Sequence, residues 1–523
     1  MYPDTFFQTF RQKLKYEWKL AFVTAFAAGL LIHMYRLTNH LLTWDSVYNF
    51  HSSQNTIHLG RCFLTLTCGI GSYYDLQWIN GLLSLLYLAL TCVCLTVIFS
   101  LRTKTGIFLT SLLTVSFPVV ASTFAYMYTA DGYFLAQLLF TLAVLLTITY
   151  KKGWLPATAC IALGYGSYQA YISYAVMLIL TWTLLQLITN ARTVRTILAY
   201  WWRFLLMGGM GTALYLLCNQ LLSAAWGVAA SDYNGISTMS LPDAAGFLLA
   251  VKNCLIESAY FFLGPLDKIN AFKLLNIVLF LLLAGLFLWI IPRYGLHRRP
   301  AALLLTGLCL ISMPFACTMI YFLTPDVRYY MLMYAGFCLF YLLPILLGEL
   351  LPSPALPPEQ EGDGGPKGHA CSLFFAWFSV GFTILTIFNF ALIDNISYLY
   401  MTKSNEMTMQ LVARMTDRIE QTPGFASAEK LCMIGHFADY DTISLNLPPA
   451  MAGIRDSYLI SEQAHFAAAM DTYFGLSLTG CSEAERQQIR ESEEFGSMEC
   501  WPHPSSVRIE EDTVIIKISP TQN

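Results

Sequence analysis

QWINGLLSLLYLALTCVCLTVIFS, residues 77–100, decides the fold. From Gly81 onward it holds neither a charge nor a proline. An α-helix rises about 1.5 Å per residue, so about 20 such residues cross the ~30 Å hydrocarbon core of a bilayer. Lipid offers the backbone no hydrogen-bond partners, and a helix satisfies its own. Outward from this run, similar stretches recur at 18–36, 105–122, 132–150, 153–165, 169–189, 201–222, 271–292, 301–323, 329–348 and 372–394. The expected fold is an all-α polytopic membrane protein with about 11 transmembrane helices. The stretch at 153–165, counted among them, is short and could form a re-entrant or half-length helix, tolerable only if packed inside protein.

Composition agrees and removes other classes. The chain of 523 residues is 56% hydrophobic and 12% charged, where average chains carry about 25% charge. With a net charge of −3 and no basic concentration, it has no surface for nucleic acid. Eleven of the 14 cysteines lie at or before Cys371, mostly in apolar runs, where Cys behaves as a small hydrophobe. No CxxC pair occurs, and neither a metal site nor a cofactor is expected. Cys432, Cys481 and Cys500 follow in the polar tail and admit at most one disulfide, with Cys481–Cys500 as the pair considered. No small-residue cleavage site follows the first apolar run, so it is read as a retained span.

Charge fixes the expected orientation, because Lys and Arg collect in cytoplasmic loops. With the N-terminus inside, the inner segments hold Arg11, Lys13, Lys15, Lys19, Arg102, Lys104, Lys151, Lys152, Arg192, Arg195, Arg203, Arg293, Arg298, Arg299 and Lys367. The outer loops before residue 395 hold only Arg36, Arg61, Lys252, Lys268, Lys273 and Arg328. An odd number of spans then puts both the loop after the first span and residues 396–523 outside. The Pro/Gly-rich inner loop at 349–371 reads as a linker. Two domains are expected: 1–395 in the membrane and 396–523 as a small extracytoplasmic α/β domain. In the latter, 405–421 reads as a helix, 430–435 as a strand and 506–519 as a hairpin turning at 510–512.

Ionisable groups at a membrane are costly and mark candidate sites. The first outer loop, LLTWDSVYNFHSSQNTIHLGRCF, is expected to form an interfacial helix over 43–63. Val47, Phe50 and Ile57 would face lipid, and Ser46, Asn49, Ser53 and Thr56 water. Asp45 suits either a helix cap or a general base. Arg61 and His58 suit either interface anchoring or substrate binding, with Arg61 matched to phosphate by its planar fork. Asp131 precedes Gly132 in a short outer turn, and Asp326 with Arg328 forms either a local ion pair or a phosphate-binding pair. Tyr168, Gln169 and Tyr171 stand in the aromatic and amide stretch YGSYQAYISY, as belt residues or as groove lining. The topology gathers all of these at the outer ends of spans.

The order of motifs resembles the GtrII-type glucosyltransferase family, which is similar to the wider GT-C class. The carriers are the acid after the first span with HLGRCF (58–63), QWINGLLS (77–84), FPVVASTFAYMYTADGYFLA (117–136), YGSYQAYISYA (165–175), VRYYMLMY (327–334), DRIEQTPGF (417–425) and SSVRIEEDTVIIKIS (505–519). The resemblance implies a GT-C-like fold, an undecaprenyl-phosphate-linked sugar donor, usually glucose, and a cell-surface glycan acceptor. It also implies that the catalytic acid of the first outer loop maps to Asp45. Many relatives carry two adjacent acids there, whereas Asp45 stands between Trp44 and Ser46, which argues against a carboxylate-pair metal site. The competing readings are a polymerase or ligase using a lipid-diphosphate donor and a flippase or transporter of lipid-linked sugars. No internal repeat of the transporter kind is evident.

Overall fold

The computed structural model describes residues 2–48, 57–71, 73–229, 243–264, 270–351, 366–437, 451, 454, 458–460 and 462–519. The helices of the first half are α1 (Pro3–Lys13), α2 (Tyr16–Thr38), α3 (Trp44–Tyr48), α4 (Leu64–Gly69), α5 (Gln77–Ile98), α6 (Lys104–Ser116), α7 (Val119–Ala125), α8 (Met127–Thr149), α9 (Trp154–Ser167) and α10 (Ile172–Ile188). Next come α11 (Val194–Trp226), α12 (Ala244–Leu263), α13 (Ala271–Arg293), α14 (Pro300–Cys317), α15 (Cys338–Gly348) and α16 (Pro366–Glu420). The chain ends with α17 (Gln463–Phe474), α18 (Glu483–Arg490) and α19 (Glu493–Ser497) among four strands. Among the described residues, ten helices are long and apolar enough to cross a membrane, and Ala335–Gly348 is a shorter apolar one. The chain is a multi-pass helical membrane protein.

One of the ten was not expected. α12 lies in what the sequence reads as an outer loop, because Lys252 and Glu257 interrupt its apolar run. The Glu257 carboxylate is instead accommodated by two hydroxyls: Tyr321 donates to it at 2.8 Å, and Tyr334 donates to its other oxygen. Asn253, Cys254 and Ser258 of α12 donate to the carbonyls of Pro325, Thr318 and Pro314, so the helix is strapped along the end of α14. The expected half-length helix is α9, 14 residues long. It lies against α8 and α11, and Gly211 of α11 has no room for a Cβ beside Ile161.

Contacts sort the helix ends into two faces. On the basic face, Lys104 lies over the Tyr16 ring, the Thr103 amide donates to Glu349, Arg299 donates to the carbonyls of Leu187 and Ile188 at 3.0 and 2.9 Å, and Trp289 meets Ser372. At the opposite face, Tyr398 bonds His33 at 2.7 Å, Tyr35 bonds Thr402, and Asn405 clamps both the amide and the carbonyl of Leu42. α2 and α16 therefore run side by side from the basic face, and the chain after α16 shares the face of the Asp45 loop.

α16 continues without a break past residue 396 and carries its apolar stripe, Leu411, Val412, Met415 and Ile419, into a second core. There β1 (Lys430–Ile434) pairs in parallel with β2 (Thr479–Gly480) and with β4 (Thr513–Lys517), while β3 (Val507–Glu510) and β4 form a hairpin. The sheet order is β2-β1-β4-β3. The hairpin turns through Glu511, which takes a left-handed φ of 52°.

The first outer loop differs from expectation. The described part is no single helix over 43–63, since α3 stops at Tyr48 and residues 57–59 form one 3-10 turn; Asn49, Phe50, Ser53 and Thr56 lie outside the described residues. Val47 and Ile57 face protein, at 1% and 2% exposure, and Ser46 is buried too. Leu42 and Val47 join the second core, between α16 and α17. Burial against the C-terminal unit thus replaces the lipid contact that periodicity predicts. The free cysteines include Cys481 and Cys500; Cys481 donates its thiol to Gln463 instead.

Candidate active site

Asp45 sits in the first turn of α3, and it is not the cap. Thr43 takes that role, its hydroxyl accepting the Ser46 amide at 3.4 Å and meeting the Ser46 hydroxyl at 3.0 Å. With Val47 turned into the core and Trp44 donating to the Tyr458 carbonyl at 3.3 Å, Asp45 is left on the open side of the helix. Its carboxyl reaches solvent from a recess walled by protein. That surrounding mass raises its pKa above the usual carboxylate value, and the Arg61 charge pulls the other way.

Arg61 is placed by a strap. Gly60, just before it, takes a left-handed φ of 70°, where glycine pays no steric penalty. Tyr215 of α11 donates to the Gly60 carbonyl at 2.9 Å, and Gln169 donates to the Leu59 carbonyl at 3.1 Å. A Cβ on Gly60 would stand 2.8 Å from the Tyr215 hydroxyl and 2.9 Å from Gln169 Nε2. Beyond Arg61, the Phe63 amide donates to the Gly166 carbonyl at 2.7 Å. The YGSYQ and HLGR motifs are therefore two halves of one fastening. Arg61 itself donates to the Tyr133 hydroxyl at 2.7 Å and spreads over the Tyr133 and Tyr168 rings, at 5.6 and 5.3 Å. Those rings stack on each other at 3.9 Å. Two stacked π-faces and a hydroxyl hold the guanidinium plane, and its charge acts on Asp45.

The other expected residues take different positions. Asp131 is buried in the first turns of α8, one oxygen accepting the Gly132 amide at 3.0 Å. Its other oxygen and the Asn80 amide crowd Gly71, whose Cβ would meet them at 2.8 and 3.0 Å, so Asp131 braces the end of the loop behind Arg61. Gln169 holds backbone, and Tyr171 is fully buried with its hydroxyl 3.1 Å from Thr123. His58 is exposed. Asp326 and Arg328 are also exposed, with Arg328 over its neighbour Tyr330 and no ion pair between the two among the described residues. The structure thus gathers Asp45, Arg61, Tyr133 and Tyr168, with Gln169 and Asp131 as supports, and leaves Asp326 and Arg328 on the segment that α12 holds.

Sequence reasoning missed Asp75. It stands just before α5, accepts the Tyr128 amide at 2.8 Å, and lies in the electrostatic field of Arg36 and His40. The charges of both Asp45 and Asp75 act on Tyr128. The available signal was a carboxylate at the mouth of a span, in YYDLQW, read as a boundary instead of a group. A narrow recess lined by Leu64, Thr65, Cys68, Tyr73, Tyr128 and Thr129 opens beside it. Among the described residues no group of three or more His, Cys, Asp or Glu could hold a metal ion.

A solvent-exposed carboxylate and a rigidly held guanidinium at the end of a membrane helix bundle have the chemistry to take a proton and to neutralise an anion. The sequence pattern of the glucosyl transferase GtrII family matches residues 34–340, more than half the chain, including both groups. The chain belongs to the GtrII glucosyltransferase family, and is a glucosyltransferase of the membrane. No curated protein and no solved structure matches it.

Proposed function

We propose that the protein transfers glucose from an undecaprenyl-phosphate-linked donor to a cell-surface glycan on the outer face of the bacterial cytoplasmic membrane. The observation that carries this reading is Asp45 open to solvent beside Arg61 clamped by Tyr133 and Tyr168. A glycosyl phosphate brings its own leaving group. The acceptor hydroxyl attacks the anomeric carbon, its proton passes to Asp45, and the bond from that carbon to the phosphate oxygen breaks with its electron pair. Arg61 then stabilises the charge left on the phosphate, an interaction stronger in the transition state than before it. The bias of Lys and Arg to the opposite face supports an extracytoplasmic site. The fold keeps Asp45 with the C-terminal unit on one face, which supports placing 396–523 outside as well.

The test is a membrane preparation given labelled polyprenyl-phosphate glucose and surface glycan. Wild-type protein moves label to glycan, and Asp45→Asn, which keeps size and polarity but accepts no proton at neutral pH, loses roughly a hundredfold or more of that rate. Wild-type rates in the Asn variant would refute the role of Asp45, and a wild type that transfers only from a lipid diphosphate would make it a ligase.

A further inference from the structure

Two cysteines meet in the sheet of the C-terminal unit. β1 and β2 run parallel with Lys430 opposite Thr479 and Leu431 opposite Gly480, so the next pair in register is Cys432 and Cys481. The Cys481 amide donates to the Leu431 carbonyl at 2.9 Å, which carries the ladder past the end of β2. Side chains alternate between the faces of a strand. Leu431 and Met433 enter the core shared with α16 and α17, whereas Cys432 lies on the other face with Ile434, Cys481, Phe495 and Met498. Both thiols are buried there, and they are in hydrogen-bonding contact.

Neighbouring strands lie about 4.8 Å apart, and a disulfide joins Cα atoms about 4.4–6.8 Å apart. Two cysteines in register on one face are therefore within bonding reach. β2 is an edge strand of two residues, both exposed, so it can shift toward β1 with little else to move. Cys500, the third cysteine of the unit, is not among the residues of this cluster. The pair also lies at the root of α17. That helix begins at Gln463, whose Nε2 donates to the Cys481 carbonyl at 2.7 Å, and whose Oε1 accepts the Met433 amide at 3.5 Å and the Cys481 thiol at 3.4 Å. The buried side of α17, Phe466, Ala469 and Met470, packs into the core that seats Leu42 and Val47 beside Asp45. A bond from 432 to 481 closes the loop of chain that contains this helix.

We propose that Cys432 and Cys481 are joined as a disulfide in the cell, a bond that locks β2 and the start of α17 to β1. This rests on the reading that puts residues 396–523 outside, where an oxidising compartment supplies protein disulfides. Such a protein disulfide is the oxidant. Burial, and then the neighbouring thiol, push the Cys432 thiol up, so Cys481 at the sheet edge reacts first. Its thiolate attacks one sulfur of the oxidant and displaces the other as a thiolate. Cys432 loses its proton, attacks the Cys481 sulfur of the mixed disulfide and displaces the second thiolate of the oxidant. Two thiols of this chain are oxidised, the oxidant is reduced to a dithiol, and the two protons end on it. Gln463 gives up the thiol hydrogen bond and keeps its two bonds to backbone.

The experiment uses the full chain taken from the cells that make it. Free thiols are alkylated at once under denaturing conditions, and the unreduced tryptic peptides are read by mass. Cys432 falls in peptide 431–455, Cys481 in 456–486 and Cys500 in 491–508. The first two peptides are joined, lighter by two hydrogens than their sum, and Cys500 is alkylated. Reductant lowers the unfolding temperature of the purified wild type by roughly 5–10 °C and leaves that of Cys481→Ala unmoved. Alkylated Cys432 and Cys481 in the unreduced chain overturn the bond, as does a link from either to Cys500. An equal response to reductant in wild type and Cys481→Ala overturns the lock. An impermeant thiol reagent on intact cells separates the two readings. If it reaches Cys500 while the pair is alkylated, the unit is outside and only the bond fails. If it reaches Cys500 only after the cells are opened, the placement of the unit falls and takes the bond with it.

Discussion

Gly60→Ala tests whether the strap, rather than the guanidinium alone, makes the anion site. The backbone at Gly60 is left-handed, and an L-residue there costs about 1–2 kcal/mol. The new methyl would lie under 3 Å from the ends of Tyr215 and Gln169. Both are flexible tips and will move, but moving them breaks their bonds to the Gly60 and Leu59 carbonyls, each worth about 1 kcal/mol net. The sum is about 3 kcal/mol, all of it on one loop, or roughly a hundredfold in the population of the placed state. Glucose transfer in membranes should fall by about that factor, while the unfolding temperature in detergent shifts by only a few degrees, because neither large core is touched. Tyr215→Phe with Gln169→Ala should reproduce much of the loss, and adding Gly60→Ala to that pair should then cost only the backbone share. Near-wild-type transfer by Gly60→Ala would refute the strap as the device that positions Arg61.

Two other outcomes follow from the same geometry. Asp45 is raised by burial against the pull of Arg61, so the acid limb of kcat/KM should lie above the ordinary carboxylate range, and Arg61→Gln, by removing that pull, should move it higher still; a limb that stays put would separate the two groups. Val47→Ala removes buried methyl groups from the core that seats α3, costing about 2 kcal/mol, and should slow transfer severalfold with donor binding unchanged, as read from paired kinetics and thermal unfolding.

The sign of the Asp45 shift also bears on stability. A carboxyl whose folded pKa exceeds its unfolded value of about 3.9 binds its proton more tightly in the folded state. Its contribution is present at low pH and is lost as pH rises through the raised value. Above that raised value the ionised Asp45 works against folding, the trade expected of a functional group on a rigid support.

Much of the membrane fold was legible because hydropathy reports what lipid demands of a backbone. The apolar run at 77–100 reads directly as α5. α12 was not legible because its Glu257 is made tolerable only by Tyr321 and Tyr334, far along the chain, and a window sees the charge without its partners. Asp45 and Arg61 were singled out from chain position, since an acid and a cation in one loop between spans are conspicuous. Their supports could not. Nothing in the periodicity of 43–63 says that Val47 will meet Met415 and Met470 in one core, and the amphipathic pattern that suggested a lipid-facing helix is the same pattern a domain core uses. Val47 and Ile57 were read correctly as apolar positions that need burial, but the medium is protein, Ser46 is buried beside them, and the single helix over 43–63 does not form.

Asp45 and Arg61 belong to one loop, yet they are carried by different bodies. Asp45 rides on α3, which Leu42, Val47 and Trp44 fix to the C-terminal unit. Arg61 rides on the strap that α9, α11 and Gln169 fix to the membrane bundle. The distance between base and cation is therefore set by how the C-terminal unit sits on the bundle, and α16, shared by both, sets that seating through Asn405 and Thr402. Electrostatic coupling over such a gap changes steeply with separation in a partly desolvated recess. A small tilt of the unit would therefore change the basicity of Asp45 and the field of Arg61 together.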